Sequence, residues 1–535
     1  MLNPAVSSSA SRPVRVRVAP SPTGAMHLGL ARTALYNWLF ARHHQGTFVL
    51  RIDDTDVERN LDEALAPILR GFCWLGIDWD EGPQTDGPHA PYYQSRRTAR
   101  YREVVGQLLE SGAAYLDYAT AAETSAEREA AIAMKRSTRY SRRWMADTPE
   151  KRARFEAEGR QAVVRLKMPS QASLAVDDLV RGKVEFDWAL EQDHVIQRAD
   201  GSCLYHLASA VDDHDFEISH VIRAEEHLSN TARQVFIFQA MRWEVPQFAH
   251  LPLVAEPGSK NKLSKRKLAQ YLRNKDFADL VARGRKLAES SGPEIGPDAL
   301  NPVSVEFYER VGFLPDAVVN YLALLGWALD DRTEEFTREQ LIEAFSLDKV
   351  NKSPSSYDPA KLMAFQTRQM LALPVERRAE LAMPFLVRAG VVAEPESPEA
   401  RGRVERIVGA AGDRIKVAAD ILDYTDFFTE DEGLAYDEKA FRKRVCKPGA
   451  VGLLRRLREE FAGVREFEPG LLEQAVRAFV DREGVRIGDI IHALRVAVTG
   501  KAVGFGMYDT LAILGRESTV NRIDRAVARA EQTKD

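Results

Sequence analysis

At 535 residues the chain has room for about three to four domains, taking roughly 150 residues for each. Apolar residues make up 45% and charged residues 29%, an ordinary globular balance, and a formal net charge of −5 excludes an overall basic field, so any nucleic-acid contact must rest on local patches. Cys73, Cys203 and Cys446 lie far apart, with no CxxC or Cys/His cluster, which argues against a disulfide framework or a cysteine-rich zinc site and favours a reducing, cytoplasmic setting. Residues 1–13 lack an apolar core and read as a disordered tail rather than a signal peptide. No apolar run reaches the roughly 18 residues a membrane helix needs, so no membrane association is expected.

Val14-Arg-Val-Arg-Val18 alternates and reads as a strand. The turn Ala19-Pro-Ser-Pro-Thr-Gly24 follows, then a helix carrying Leu28, Ala31, Leu35, Trp38 and Leu39 at helical spacing, ended by Gly46. Thr47–Ile52 is a second strand, closed by Asp53-Asp-Thr-Asp56. Strand, helix and strand at this spacing form a βαβ unit, hence a parallel sheet, which a helix near Ala64–Leu75 extends. From about Tyr115 the character changes. Glu123–Gln161 is Ala-rich and charged, with Lys135, Arg136, Arg139, Arg142 and Arg143 close together, and reads as an insertion of exposed helices. Strand-like patterns resume at Val163–Met168 and Val184–Trp188, and a second α/β stretch runs from Ile218–Arg223 through a helix at Thr231–Met241 to Leu251–Ala255. Beyond about Leu268 the pattern is helical: Pro315–Leu325, then segments near 380–395, 405–425, 450–462, 470–482 and 486–497.

Two stretches carry candidate chemistry. The Pro/Gly turn ends a βαβ first strand and leads into a helix at His27-Leu-Gly29, where free N–H groups can meet an anion. Taken alone it is a common loop, and His27 alone a packed histidine. Lys262-Leu-Ser-Lys-Arg266 is a basic loop after Pro257-Gly258, and a loop of this kind can bring two ammonium groups to a triphosphate whose leaving group gains charge. Its plainer reading is a solvated charge run. Arg17 near the end of a buried strand needs an anionic partner, unless the strand is an edge and the arginine solvated; Arg15 on the same face keeps that alternative open. Asp53 at the end of the second strand can line the same crevice and meet an ammonium, or cap the Asp53–Asp56 turn.

Together the two stretches resemble the HIGH and KMSKS signatures of class I aminoacyl-tRNA synthetases. Ala19-Pro-Ser-Pro-Thr-Gly, His27-Leu-Gly, Ala31-Arg-Thr-Ala-Leu35 and Arg51-Ile-Asp-Asp-Thr-Asp56 are similar to the glutamate/glutamine branch. Tyr205-His-Leu-Ala, Val211-Asp-Asp-His214, Val221-Ile-Arg-Ala-Glu-Glu226, Gly484-Val-Arg-Ile-Gly488, Leu494–Gly500 and Leu511–Gly515 narrow the resemblance to bacterial-type glutamyl-tRNA synthetases, from about Val14 onward. The resemblance implies a Rossmann-like parallel-sheet catalytic domain with an α+β insertion, followed by an all-helical anticodon-binding half. On the sequence the divisions fall at 14–115 (first catalytic half), 116–204 (inserted acceptor-arm domain), 205–267 (second catalytic half), 268–346 (stem-contact region) and 347–535 (anticodon-binding region).

The resemblance also implies roles. His27, Gly29, Glu226, Lys262, Ser264 and Lys265 would meet ATP, with His27, Lys262 and Lys265 catalytic. Ala19, Ser21 and Asp53 would receive the glutamate ammonium; Arg17, Tyr205, Ser209 and Arg223 would complete the amino-acid pocket, and a buried Arg223 would favour glutamate over glutamine. Asp53 stands where the family usually has Glu, Ser209 where it often has Asn, and Leu30 where a small residue is typical. The 268–302 stretch is longer than the usual connection and reads as a surface excursion. ATP enters as a substrate with Mg²⁺ carried mainly on its phosphates; no protein-bound zinc is expected. The partners implied are tRNA(Glu), L-glutamate and ATP, with Lys135–Arg143 a candidate acceptor-arm surface and a monomer expected. Two alternatives stand beside this reading: an enzyme that also charges tRNA(Gln), and a non-catalytic tRNA-binding relative.

Overall fold

The structure is a computed structural model that describes residues 12–22, 24–55, 61–85, 87–135, 138–291 and 300–533. Most of the tail at 1–13, Thr23 of the turn, Asp56, Arg136 of the basic segment and residues 292–299 of the long connection lie outside the described residues. The chain divides into two units: 1–274 with 303–306 and 318–358, and 275–302 with 307–317 and 359–535.

In the first unit, β1 (Arg15–Val18), α1 (Leu28–His43) and β2 (Thr47–Leu50) form the expected βαβ unit, with β1 and β2 parallel from Arg15 opposite Thr47 to Val18 opposite Leu50. Gly46 is required by a close approach: a Cβ there would sit 2.2 Å from the Val14 carbonyl oxygen. α2 (Leu61–Leu75) and α3 (Thr98–Glu110) follow. A separate antiparallel sheet is built from β3 (Ala114–Asp117), then, past α4 (Ala121–Ala133) and α5 (Pro149–Ala157), β4 (Val163–Leu166), with β7 (Val195–Gln197) on its far side. α4 buries no residue and α5 only Phe155, so these are the exposed helices read from composition.

The hairpin β5 (Ser173–Asp178) and β6 (Gly182–Asp187) behaves differently from the rest of the 116–204 stretch. It joins the main sheet, whose order is β2-β1-β8-β9-β5-β6, where β8 is His220–Ala224 and β9 is Gln247–Leu251. Every neighbouring pair is parallel except β5 and β6. β1 is therefore an interior strand, and the edge-strand alternative for Arg17 falls. α6 (Tyr205–Asp215) and α7 (Thr231–Ala240) pack against each other beside β8 and β9, and Val221, Phe248, Leu207 and Phe238 share one buried core. After β10 (Val254–Ala255) come α8 (Leu268–Tyr271) and, across the second unit's first helix, α9 (Lys275–Ser291), α10 (Val305–Val311), α11 (Pro315–Ala323) and α12 (Arg338–Ala344). β11 (Ser355–Ser356) pairs with β10.

The second unit is helical. α9 is not a surface excursion: Phe277, Leu280, Val281 and Leu287 form a buried stripe at helical spacing. α13 (Pro359–Ala372), α14 (Val375–Arg388) and α15 (Pro398–Ala411) follow. The segment expected near 405–425 is broken at Gly412, whose φ of 56° lies in the left-handed region, and continues as a 3₁₀ stretch, Ala418–Phe427. α16 (Glu438–Arg444), α17 (Ala450–Gly463), α18 (Pro469–Glu483), α19 (Ile487–Thr499), α20 (Met507–Leu514) and α21 (Arg516–Gln532) enclose one apolar core around Leu454, Leu457, Phe461, Phe479 and Leu494.

Candidate active site

The turn after β1 is fixed from several sides. Asp53 donates its backbone N–H to the Pro20 carbonyl, and Arg51 to that of Val18. Leu28 N–H reaches the Val303 carbonyl at 3.0 Å and Val305 N–H the Met26 carbonyl at 2.9 Å, so a returning segment clamps both flanks of His27. Met26 is buried against Gly71 of α2, where a Cβ would meet its sulfur at 2.7 Å. Gly24 takes a φ of 96°, which a side chain would resist. His27 caps α1: its Nδ1 accepts from Gly29 N–H at 2.9 Å. A Cβ at Gly29 would sit 3.2 Å from that ring atom, close enough to press on the cap. Because Nδ1 accepts, the neutral ring carries its proton on Nε2. Burial, then Lys265 and Lys262, push the His27 imidazole down to about 4, so near pH 7 it is a neutral Nε2–H donor.

The 256–267 loop is anchored at its base. Buried Glu256 accepts from Asn261 at 3.0 Å, Lys267 at 3.2 Å and the Tyr271 hydroxyl at 3.1 Å. Leu263 N–H bonds the Val254 carbonyl, and Ser264 N–H the Tyr271 hydroxyl. This frame directs Lys265 Nζ onto the Ala25 carbonyl at 2.8 Å, directly on the Pro/Gly turn. Lys262 Nζ meets Glu226 at 2.5 Å, and both side chains are substantially exposed. The two sequence stretches, with Glu226, therefore form one place.

Beside it lies a buried charged cluster. Arg17 donates through Nε and Nη2 to Asp213 at 2.8 and 3.2 Å. Arg51 reaches the same carboxylate at 2.9 Å and grips Asp53 through Nε and Nη2 at 2.7 and 3.2 Å. Burial opposes the Asp213 charge, but Arg17 and Arg51 overcome it and hold the carboxyl below its ordinary value; Asp53, with burial the larger influence, is raised. Buried Asp212 lies 3.6 Å from Arg51 as well and pairs with Arg97 at 2.7 Å, so the cluster extends to three arginines and three aspartates. Ser209 is fully buried and accepts from Arg51 at 3.3 Å, and Tyr205 opens α6 with its hydroxyl 3.5 Å from His227 Nδ1. Ala19 is partly buried and Ser21 exposed on the turn.

Arg223, at the end of β8, is different. It is 5% exposed, yet the hydrogen-bond partners it has among the described residues are neutral: His250 Nε2 at 3.0 Å, Gln234 Oε1 at 2.6 Å and Thr231 Oγ1 at 3.0 Å, with the Phe248 ring beneath. Among the described residues no carboxylate pairs with it. Burial pushes its guanidinium down to about 10, Tyr205 opposing and nearby Arg17 adding to the effect. A buried cation of this kind gains from any anion that reaches it.

Several expected residues are thus assembled, and others have internal partners. Arg17 and Asp53 are held by Asp213 and Arg51, neither of which sequence reasoning gave a role, although Asp213 stood in the quoted Val211-Asp-Asp-His214 string. In the basic segment Arg142 pairs with buried Asp193 at 2.5 Å, and Arg139 donates to the Met168 and Pro169 carbonyls, so both cations contribute to the fold of the small sheet. No group of three His, Cys, Asp or Glu residues able to hold a metal occurs among the described residues. In the helical unit a cavity of about 770 Å³ is lined by Lys286, Arg414, Tyr424, His492, Arg495 and Lys501. Arg495 Nη1 is buried there with no hydrogen-bond partner among the described residues.

Residues 13–282 match the family model described as tRNA synthetases class I (E and Q), catalytic domain, and residues 377–527 match an anticodon binding domain. A glutamate–tRNA ligase of Moorella thermoacetica is 41% identical over 513 residues, covering 96% of this chain and 98% of the relative. One of Desulforudis audaxviator is 39% identical over 517 residues, covering 96% of each. The crystal structure of a glutamate tRNA ligase from Elizabethkingia meningosepticum, in complex with its amino acid, superposes with a TM-score of 0.80 at 30% identity, covering 97% of this chain and 99% of that one. The helical second unit, the parallel-sheet first unit and these full-length likenesses agree: the chain belongs to the glutamate–tRNA ligases, a family of class I aminoacyl-tRNA synthetases.

Proposed function

We propose that this protein activates L-glutamate with ATP and transfers it to tRNA(Glu), acting as a monomer. Arg223, a buried cation with neutral partners, carries the choice of amino acid: a γ-carboxylate neutralises it and a γ-carboxamide does not. Arg17 and Tyr205 flank the same pocket, while Asp53, Ser21 and the Ala19 carbonyl face the ammonium. The glutamate α-carboxylate attacks the α-phosphorus in line; the bond to pyrophosphate breaks, and pyrophosphate leaves with its electron pair. The nucleophile is already ionised, so no base is required. The neutral Nε2–H of His27 donates to the phosphate, and Lys262 and Lys265 stabilise charge gathering on the leaving group. Lys265 on the turn and Lys262 beside Glu226 supply cations but no carboxylate cage, which suits a Mg²⁺ that would arrive on the triphosphate and add charge neutralisation there. In the second step a terminal ribose hydroxyl of tRNA, the 2′-hydroxyl by family likeness, attacks the anhydride carbonyl and AMP leaves, its phosphate taking the proton.

The basic cavity of the helical unit suits an anticodon base, with cations for its phosphates and Tyr424 for its face. Charging assays with separate tRNA(Glu) and tRNA(Gln), each with glutamate or glutamine, test the reading. Glutamate on tRNA(Glu), abolished by Lys265→Ala with tRNA binding retained, is expected. Failure to charge either tRNA with glutamate would overturn it, charging of tRNA(Gln) as well would widen the partner, and sedimentation at working concentration checks the monomer.

A further inference from the structure

Arg223 can select a carboxylate only if its two remaining terminal N–H groups face the ligand. A guanidinium has five N–H donors. Three are already used: Nε on His250, one Nη1 hydrogen on Gln234 and one Nη2 hydrogen on Thr231. One hydrogen remains on each terminal nitrogen, which is the fork that a carboxylate needs. The contact that orients this fork is the Nε bond, and it requires His250 Nε2 to be unprotonated.

What enforces that tautomer lies one strand further on. His250 sits opposite Arg223 across the β8–β9 ladder. Its Nδ1 faces Asp178 Oδ2 at 2.6 Å, and both side chains are wholly buried. Asp178 also accepts from the backbone N–H groups of Val180, Arg181 and His250. An ionised carboxylate can only accept, so the ring proton must reside on Nδ1 and the Nε2 lone pair faces Arg223 Nε at 3.0 Å, with the Thr231 hydroxyl also 3.2 Å from it. Asp178 comes from β5, the hairpin contributed to the main sheet by the stretch between the two catalytic halves.

We infer that Asp178 and His250 are positioning residues for glutamate recognition: a buried relay in which the β5 carboxylate fixes the His250 tautomer, and His250 fixes the Arg223 fork. The inference rests on the assignment of Arg223 to the glutamate side chain. Asp178→Asn places an amide N–H against Nδ1, drives the proton to Nε2 and sets donor against donor at Arg223. His250→Leu removes the acceptor. His250→Gln keeps one, and a glutamine carries no tautomer for residue 178 to dictate.

The test is tRNA charging with KM for glutamate and for ATP measured separately, beside a melting curve. Asp178→Asn and His250→Leu should each raise the glutamate KM about tenfold or more, with the ATP KM within twofold. His250→Gln should stay within about threefold of the parent, and Asp178→Asn/His250→Gln should match His250→Gln alone. Penalties that simply multiply in the double variant, or lower melting temperatures with an unchanged glutamate KM, would overturn the relay and leave a structural role. Arg223→Lys separates the levels: an unchanged glutamate KM there sinks the assignment of Arg223 itself. A raised KM there with unaltered Asp178→Asn and His250→Leu sinks only the relay. Should those variants fail to fold, ¹⁵N-histidine spectra of the parent decide, the His250 signal being the one lost in His250→Gln. A ring protonated on Nδ1 supports the relay, and one protonated on Nε2 overturns it.

Discussion

Arg223→Met separates a cation that holds the fold together from one that waits for a ligand. With the guanidinium pushed down to about 10, keeping the charge in the ligand-free fold costs on the order of 3 kcal/mol, at about 1.4 kcal/mol per tenfold change in proton affinity. Methionine removes that cost. It also removes three hydrogen bonds, worth roughly 1 kcal/mol each. The two effects nearly cancel, so the ligand-free variant should lie within about 2 kcal/mol of the parent. Arg51→Met offers the contrast, because Arg51 serves three buried carboxylates, Asp53, Asp212 and Asp213. Stranding them should cost about 3–5 kcal/mol. Glutamate binding reverses the order of severity: two lost bonds to a carboxylate, at about 1.5–3 kcal/mol each, lower kcat/KM for glutamate by roughly 10² to 10⁴. Melting curves with and without glutamate are the assay. Glutamate at a hundred times its Kd should stabilise the parent by about 2.7 kcal/mol and leave Arg223→Met unmoved. The reasoning is refuted if ligand-free Arg223→Met melts as low as Arg51→Met, or if glutamate still stabilises it.

His27→Asn keeps an acceptor for Gly29 N–H but loses the Nε2–H donor; kcat for charging should fall about 10²- to 10³-fold with the melting temperature little changed, and equal loss of both would refute the phosphate role. Acid should weaken the first unit as its buried histidines are forced to take up protons. His27, His194, His220 and His227 are pushed down to about 4 and His206 to about 3, chiefly by burial. The folded state then binds fewer protons than the unfolded one below about pH 6.5, so stability is lost as pH falls from there to about 4. Asp212, raised to about 6 by burial, works in the opposite direction but is outnumbered; urea midpoints between pH 7.5 and 4.5 should therefore decline, and a flat profile would contradict the burial. Arg495→Ala should raise KM for tRNA about tenfold and lower the salt slope by about one, with KM for glutamate and ATP unaffected, as steady-state charging across salt concentrations would report.

The Pro/Gly turn was legible because its pattern is local: strand, Pro/Gly bend, histidine and glycine lie within one short string, and the basic loop is another. Long-range partners were not. Arg17 announced a need for an anion, but nothing in a periodicity could point to Asp213, 196 positions away. The β5–β6 hairpin alternates like any strand pair, and its choice of the main sheet over the small one is settled by packing against β9, 72 positions along the chain from Asp178 to His250. Arg139 and Arg142 read as surface cations because charge density says nothing of inward direction. The α9 stripe was readable: Phe277, Leu280, Val281 and Leu287 fall on one helical face, and the length of the connection drew attention away from its pattern.

The two lysines of the basic loop do not wait bare. Lys262 rests on the Glu226 carboxylate and Lys265 on the Ala25 carbonyl. An anion that engages one of them exchanges one partner for another, and the exposed Lys262–Glu226 pair is itself worth little. A polyanion long enough to engage both at once gains the second contact without a second loss of translational freedom. On the proposed function, ATP binding is then an exchange at two points at once, in which the triphosphate displaces the Glu226 carboxylate and the Ala25 carbonyl together.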